Sequence, residues 1–304
     1  MKNTEIVQTL QELIGADAVL TDELMKQHTT FRIGGPADLF VMPGSAKDVM
    51  KVLAVLRNNH IPYFIMGNGS NLLVSDEGYR GCVVQIGSRM SEIREEDGIL
   101  ECGAGALLSQ IAAAARAESL AGFEFASGIP GTLGGACVMN AGAYGGEMKD
   151  VLAGVTVLDK EGNVQKYAVD ELELGYRTSR LLKEESIVLS AKIRLEKGDP
   201  EEILAKTEEL RRKRVEKQPI EMPSAGSTFK RPEGYFAGKL IEDAGLRGFG
   251  IGGAQVSEKH CGFVVNSGDA TAADVQALIT EIQCRVYEMA GVDLETEVRF
   301  LGEF

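Results

Sequence analysis

The sequence predicts an α+β protein. Segments of helical period and segments of alternating period both occur, they follow no regular βαβ rhythm, and glycine separates them densely. The 36 glycines in 304 residues come to about 12 %, against a typical ~7 %. With no Gly-X-Y period and no Gly/Ser block to account for it, this excess belongs in turns and loops.

Each element has a local reason. Glu5–Ile14 carries Ile6, Leu10, Leu13 and Ile14 on one helical face. The turn-rich segment Thr29–Asp38 leads into a strand over Leu39–Met42. Ser45 is an N-cap with Asp48 three residues on, opening a helix through Val49, Val52, Leu53 and Leu56. Short strands are expected over Tyr63–Met66, Cys82–Ile86 and Ile99–Gly103, then an Ala-rich helix over Leu107–Ser119. Val155–Leu158 and Val164–Tyr167 flank Lys-Glu-Gly-Asn as a hairpin. Leu174–Ser179 reads as an irregular polar loop and Ile187–Leu195 as a strand. A composition shift at Gly198-Asp-Pro200 precedes a charged helix over Pro200–Val215, which places the domain boundary at 198/199. Thr271–Ala290 keeps Val275, Leu278, Ile279, Ile282, Val286 and Met289 in step and ends at Gly291. A strand over Thr296–Leu301 closes the chain.

The totals exclude several classes. At 304 residues the chain accommodates two domains and a sizeable core. A net charge of −13 opposes binding to nucleic acid through its phosphates; the one dense basic run, Arg211–Arg214 closed by Lys217, is a solvated helix face aimed at phosphate only at its end. Five cysteines, odd in number and without CxxC spacing, argue against a disulfide framework or zinc site and fit a reducing cytoplasm. The three histidines lack metal-ligand spacing, so no metal is expected. No apolar h-region opens the chain and no apolar run approaches ~20 residues, so neither a leader nor membrane insertion is expected.

The chemistry gathers at four places. Ser127–Gly146, SGIPGTLGGACVMNAGAYGG, holds seven glycines in an apolar setting. Side-chain-poor backbone between apolar walls suits a flat, charged cofactor, whose phosphates take free backbone N–H groups. Met66–Asn71, MGNGSN, is a second such loop. It fails the Rossmann fingerprint, because Leu72 stands where the last glycine belongs and no helix follows. Ser227 in AGSTFKRP lacks a nucleophile elbow and an assigned base, so a serine hydrolase has little support. In a strand, Glu297 and Arg299 of LETEVRFLG point to one face.

Together TTFRIGGPAD, MGNGSNLL, SGIPGTLGGACVMNAGAYGGE, GYRTS, AGSTFKRP and LETEVRFLG, in this order, resemble the UDP-N-acetylenolpyruvoylglucosamine reductase family from about Thr29 to the C-terminus. The short passage Lys230–Gly245 resembles its shorter, second type. The resemblance implies a flavin-binding region of the vanillyl-alcohol-oxidase (PCMH-like) kind over residues 1–198, its core about 29–197, and a substrate-binding domain over 199–304. It implies non-covalent FAD, NADPH as co-substrate, a UDP-sugar substrate, a cytoplasmic location and no protein partner. It further implies catalytic roles for Arg177, Ser227 and Glu297, which would converge over the flavin ring. Glu297, beside a substrate carboxylate, must be protonated or paired; the sequence leaves both open. The implied flavin contacts are Gly67, Asn68, Gly69, Ser70, Asn71, Ile129, Pro130, Gly131, Gly134, Gly135, Asn140, Gly142 and Arg299. The implied substrate contacts are Tyr176, Lys217, Lys230 and His260. Two rivals are a flavin oxidase on the same fold, which predicts a different C-terminal half, and a non-catalytic nucleotide-sugar sensor, which predicts decay at Arg177, Ser227 or Glu297.

Overall fold

The computed structural model describes residues Asn3–Phe304 and is mixed α and β, as expected. The chain forms two compact units, both discontinuous in sequence. Unit 1 takes the N-terminal residues to Leu20, Phe40–Asn68 and Cys82–Lys213; unit 2 takes Thr21–Leu39, Gly69–Gly81 and Arg214–Phe304.

Unit 1 carries the helices α1 (Asn3–Ile14), α2 (Ala46–Asn58), α3 (Leu108–Ala117), α4 (Leu133–Met139) and α5 (Arg180–Lys183). Ser45 caps α2 by accepting the Asp48 N–H at 3.1 Å, as the sequence predicts. A five-stranded antiparallel sheet runs in the order Val164–Ala168, Leu152–Leu158, Ile187–Arg194, Ile99–Gly103, Ile93–Glu96. The expected hairpin closes with Leu158 opposite Val164, and the sheet centre sets Val155 against Ala191 and Ala191 against Cys102. Tyr63–Met66 pairs in parallel with Cys82–Gln85.

Helix α4 is a departure from expectation, since it lies inside the glycine-rich run and contains Gly134 and Gly135. Glycine normally weakens a helix interior, but here contact requires it. A Cβ on Gly134 would come within 3.1 Å of the Ala104 Cβ and 3.3 Å of its carbonyl. Leu133, Ala136 and Cys137 bury the face toward the central strand Ile187–Arg194. The Leu174–Ser179 segment is also more ordered than expected. Gly175 and Thr178 exchange backbone hydrogen bonds at 3.1 and 3.3 Å, and Ser179 caps α5 by accepting the Leu182 N–H at 3.1 Å.

The charged helix α6 (Pro200–Lys217) carries the crossing from unit 1 to unit 2. Unit 2 then holds α7 (Ala237–Asp243) and α8 (Ala272–Ala290). Its core gathers Val275, Leu278, Ile279, Ile282 and Val286 of α8 with Phe31, Ile33, Leu73, Leu240, Val264 and Leu294. Thr271 and Asp274 form a capping box at the start of α8, and Gly291 ends it in the left-handed region at φ +65°. The closing strand is shorter than expected, covering only Arg299–Leu301, and it pairs in parallel with Leu72–Val74. Among the described residues, no helix is long and apolar enough to cross a membrane.

Candidate active site

In unit 1, the start of the first glycine loop, Gly67 and Asn68, is tied to the second loop, 62 residues on. The Asn68 side-chain amide donates to the Pro130 carbonyl at 2.8 Å. Beside it, a Cβ on Gly67 would stand 2.0 Å from the Thr132 Oγ1, so nothing larger than glycine fits without rearrangement. The second loop is anchored in turn: Leu108 N–H donates to the Gly131 carbonyl at 3.0 Å and Leu133 N–H to the Ala106 carbonyl at 2.8 Å. Ile129 is half-buried, Pro130 and Gly135 are exposed, and Thr132 is buried. The result is a shelf of partly exposed, side-chain-poor backbone above a packed floor. Cys137 belongs to that floor, where burial pushes its thiol up to about 12.

The same unit carries the GYRTS turn. Arg177 takes φ +52° while Tyr176 does not enter the left-handed region, a pattern that places Arg177 at the third position of a type II turn, where glycine is usual. Its guanidinium carbon lies 5.3 Å from the centre of the Tyr176 ring, which is 53 % exposed. Gly142 faces Glu147 across a short antiparallel pair, and a Cβ on it would come within 2.8 Å of the Glu147 Cγ. Glu147, which the sequence reading left unassigned, has its carboxyl held below the usual range. The Lys149 hydrogen bond contributes most, the Asn140 hydrogen bond and the charges of Lys149 and Arg177 add to it, and partial burial opposes it.

In unit 2, Ser227 and Glu297 are brought together through one residue. Thr228 donates its N–H to the Gly262 carbonyl, accepts the Glu297 N–H on its own carbonyl at 2.8 Å, and accepts the Val264 N–H on its hydroxyl at 2.9 Å. Phe229 bridges antiparallel to Thr296, and Lys230 N–H donates to the Glu295 carbonyl at 2.8 Å. Gly226 precedes Ser227 at φ +77° with no atom within reach of a Cβ, so backbone conformation rather than space selects glycine there. Glu297 thus lies outside the observed strand Arg299–Leu301, although the sequence predicts it inside one, and it is held from both sides. Its carbonyl accepts from the Asn71 side chain at 3.0 Å, while Arg299 N–H donates to the Asn71 carbonyl at 3.1 Å. Gly69, Ser70 and Asn71 all fall in this unit, with Gly69 at φ +60°.

The remaining sequence-selected residues of unit 2 have identifiable surroundings. The Lys230 ammonium pairs with Glu295. His260 accepts the Gly262 N–H on Nδ1 at 3.1 Å, which puts the ring proton on Nε2, and its ring meets Phe263 edge-on at 5.1 Å. Burial lowers its pKa, the nearby Arg247 charge adds to that, and a backbone hydrogen bond opposes it. Lys217 is exposed in the last turn of α6. Among the described residues, no cluster of three or more His, Cys, Asp or Glu is placed to hold a metal ion.

Comparison with known proteins converges on one family. A family model described as "UDP-N-acetylenolpyruvoylglucosamine reductase, C-terminal domain" matches residues 218–301, and one described as "FAD binding domain" matches residues 37–168. UDP-N-acetylenolpyruvoylglucosamine reductase of Alkaliphilus oremlandii is 54 % identical over 303 residues, covering 100 % of both chains. The protein of the same name from Caldanaerobacter subterraneus subsp. tengcongensis is 54 % identical over 298 residues, covering 98 % of each. The crystal structure of the Thermus caldophilus UDP-N-acetylenolpyruvylglucosamine reductase superposes with a TM-score of 0.80 at 37 % identity, covering 92 % of this chain and 98 % of that one. An alkyldihydroxyacetonephosphate synthase structure, 16 % identical with a TM-score of 0.50 over 65 % of this chain and 44 % of its own, shares the fold alone.

Proposed function

The chain belongs to the UDP-N-acetylenolpyruvoylglucosamine reductase family of FAD-dependent oxidoreductases, and from that premise we propose that it reduces the enolpyruvyl ether of UDP-N-acetylglucosamine-enolpyruvate to UDP-N-acetylmuramate, with NADPH as electron source, in the cytoplasm. Residues 1–198 chiefly serve the flavin and 199–304 chiefly the substrate. The observation that supports this reading most directly is the Glu297–Thr228 backbone bond at 2.8 Å, which ties the segment of the family's glutamate to the residue that follows its serine although the two lie far apart in sequence.

The loops fit a dinucleotide. Gly67 admits no side chain, the Asn68–Pro130 bond holds the two loops in one shelf, and Ser70 and Asn71 supply short polar groups of the kind pyrophosphate recognition uses. In this reading Gly67–Asn71, Ile129–Gly131, Gly134, Gly135, the backbone of Asn140, Gly142 and Arg299 serve the flavin. The chemistry FAD supplies when bound is hydride transfer, from NADPH to the terminal carbon of the enolpyruvyl double bond.

Hydride addition leaves negative charge on the adjacent carbon, next to the substrate carboxylate, and the charge is stable only as an enolate held by positive or donor groups. Arg177, planar and permanently charged, holds it. The Ser227 hydroxyl gives its proton to that carbon from the face opposite the hydride and is reprotonated from solvent. Serine is a weak acid, so the positive charge of Lys230 eases the transfer. Glu297, beside the carboxylate, acts protonated or paired. Tyr176 and Lys217 take the UDP portion, and His260 lines the substrate side.

The test is anaerobic spectroscopy of the purified holoprotein. NADPH should bleach the flavin absorbance, and UDP-N-acetylglucosamine-enolpyruvate should restore it; bleaching without restoration overturns the substrate assignment.

A further inference from the structure

Asn140 ends α4 in the left-handed region, at φ +42°, and is only 1 % exposed. Its side-chain oxygen accepts the Lys149 N–H at 3.0 Å, while its nitrogen donates to Glu147 Oε2 at 2.9 Å and to the Gly175 carbonyl at 3.1 Å. A backbone N–H can only donate and a carbonyl only accept, so these partners fix which way the amide points. Both amide protons are thereby committed within the protein.

Gly175 opens the turn that presents Arg177. On the far side of the turn, the fully buried Ser179 donates its hydroxyl to the Val138 carbonyl at 2.6 Å. The end of α4 therefore grips this turn at both ends, through Asn140 before it and Val138 after it. A non-glycine residue in the left-handed region, as Arg177 is, is strained and persists only where its surroundings over-determine it. The Asn140 amide is such a determinant, and Glu147 adds a second. Glu147 accepts from Asn140, pairs with Lys149 at 2.8 Å, and feels the Arg177 charge.

We propose that Asn140 is a positioning residue for Arg177: by holding the Gly175 carbonyl, its side-chain amide fixes the turn that aims the guanidinium. This rests on the reading above, in which Arg177 stabilises charge on the substrate. It assigns Asn140 a role exerted through another side chain, with Glu147 as its support.

Two measurements test it. The first is single-turnover reoxidation of NADPH-reduced enzyme by UDP-N-acetylglucosamine-enolpyruvate in four proteins: unchanged, Asn140→Gly, Arg177→Ala and the double variant. Glycine tolerates the left-handed position and removes only the amide. Misplacement of a reacting group by about 1 Å costs up to roughly 100-fold, so Asn140→Gly should slow reoxidation by about 10- to 100-fold alone and by less than about twofold on top of Arg177→Ala. The same loss in both backgrounds overturns the proposal. Should Asn140→Gly not accumulate as folded protein, Asn140→Asp carries the same cycle, since it keeps the size and loses the donor. The second measurement needs no substrate. Amide exchange of Thr178, whose N–H bonds the Gly175 carbonyl, should quicken about tenfold or more in Asn140→Gly; unchanged exchange overturns the proposal. A failure of the unchanged enzyme to be reoxidised sinks the substrate assignment and leaves the exchange measurement decisive.

Discussion

The Asn68 side chain donates to the Pro130 carbonyl at 2.8 Å, and this bond joins two loops that the sequence can only suggest are partners. A net hydrogen bond contributes about 1 kcal/mol, too little to hold the loops alone. Close packing completes the join, with the Gly67 backbone lying directly on Thr132. Gly67→Ala should therefore lower flavin retention as well as stability. Its Cβ would sit 2.0 Å from the Thr132 Oγ1 and 3.2 Å from the Thr132 Cβ, and overpacking of this kind costs roughly 1–3 kcal/mol. The ratio of flavin to protein absorbance after purification should fall several-fold. Gly67→Ala/Thr132→Ala should recover part of the loss, because the nearest clashing atom is gone. Full flavin retention in the single variant would show that the loop moves freely away from Thr132.

Under the proposed mechanism, Ser227→Ala separates the two half-reactions. The backbone around Ser227 is set by Gly226 and by the hydrogen bonds of Thr228, so loss of the hydroxyl should leave the melting temperature within a degree or two. Reoxidation by the enolpyruvyl substrate should slow by about 100-fold or more, the range expected when a positioned acid is removed, while flavin reduction by NADPH continues at near its former rate. Stopped-flow absorbance reads both. Equal slowing of the two steps would make Ser227 structural.

Local patterns were legible in the sequence, and long-range pairing was not. The caps at Ser45 and Gly291 depend on a few adjacent residues and stand where the sequence predicts them. Helix α4 was hidden because Gly134 and Gly135 argue against helix, and the reason for Gly134, the close Ala104 backbone, comes from a strand end thirty positions away. The expectation of a strand through Glu297 failed for a related reason. Alternation suggests strand, but pairing with Leu72–Val74 starts only at Arg299, and Glu297 pairs instead with Thr228. Thr132, Glu147 and Thr228 carry no motif signal of their own. Each sits next to a residue the sequence singles out, and only the contact reveals its use.

The capping box of α8 predicts a pH dependence with a definite sign. Backbone hydrogen bonds from Thr271, then Gly253, hold the Asp274 carboxyl below its usual value, partial burial opposes them, and the Thr271 side chain adds to the lowering. A carboxyl depressed in the folded state contributes stability above its unfolded pKa and loses it as pH falls through the folded pKa. Asp274→Asn should therefore cost about 0.5–2 kcal/mol at pH 7, the range for a lost helix cap. The cost should shrink as the pH drops below about 4, the ordinary aspartate value. Denaturant midpoints at both pH values check this, and a pH-independent difference would assign the effect to shape rather than charge.

Arg177→Gly sets stability against activity at a single position. Arg177 holds φ +52°, where a side chain costs roughly 1–2 kcal/mol relative to glycine. Part of that gain is returned, because glycine loosens the unfolded chain by about 0.4–1 kcal/mol. The variant should thus melt at or slightly above the temperature of the unchanged protein, with between zero and about 1.5 kcal/mol of added stability. In the proposed mechanism the Arg177 charge steadies the enolate, so removing it should slow reoxidation by roughly 100- to 1,000-fold, the range for loss of one positioned donor. Thermal melts and single-turnover reoxidation on the same preparation decide it. A variant that is both slower and clearly less stable would mean that the Arg177 side chain contributes to the packing of the turn, and the strain at this position would then need another cause.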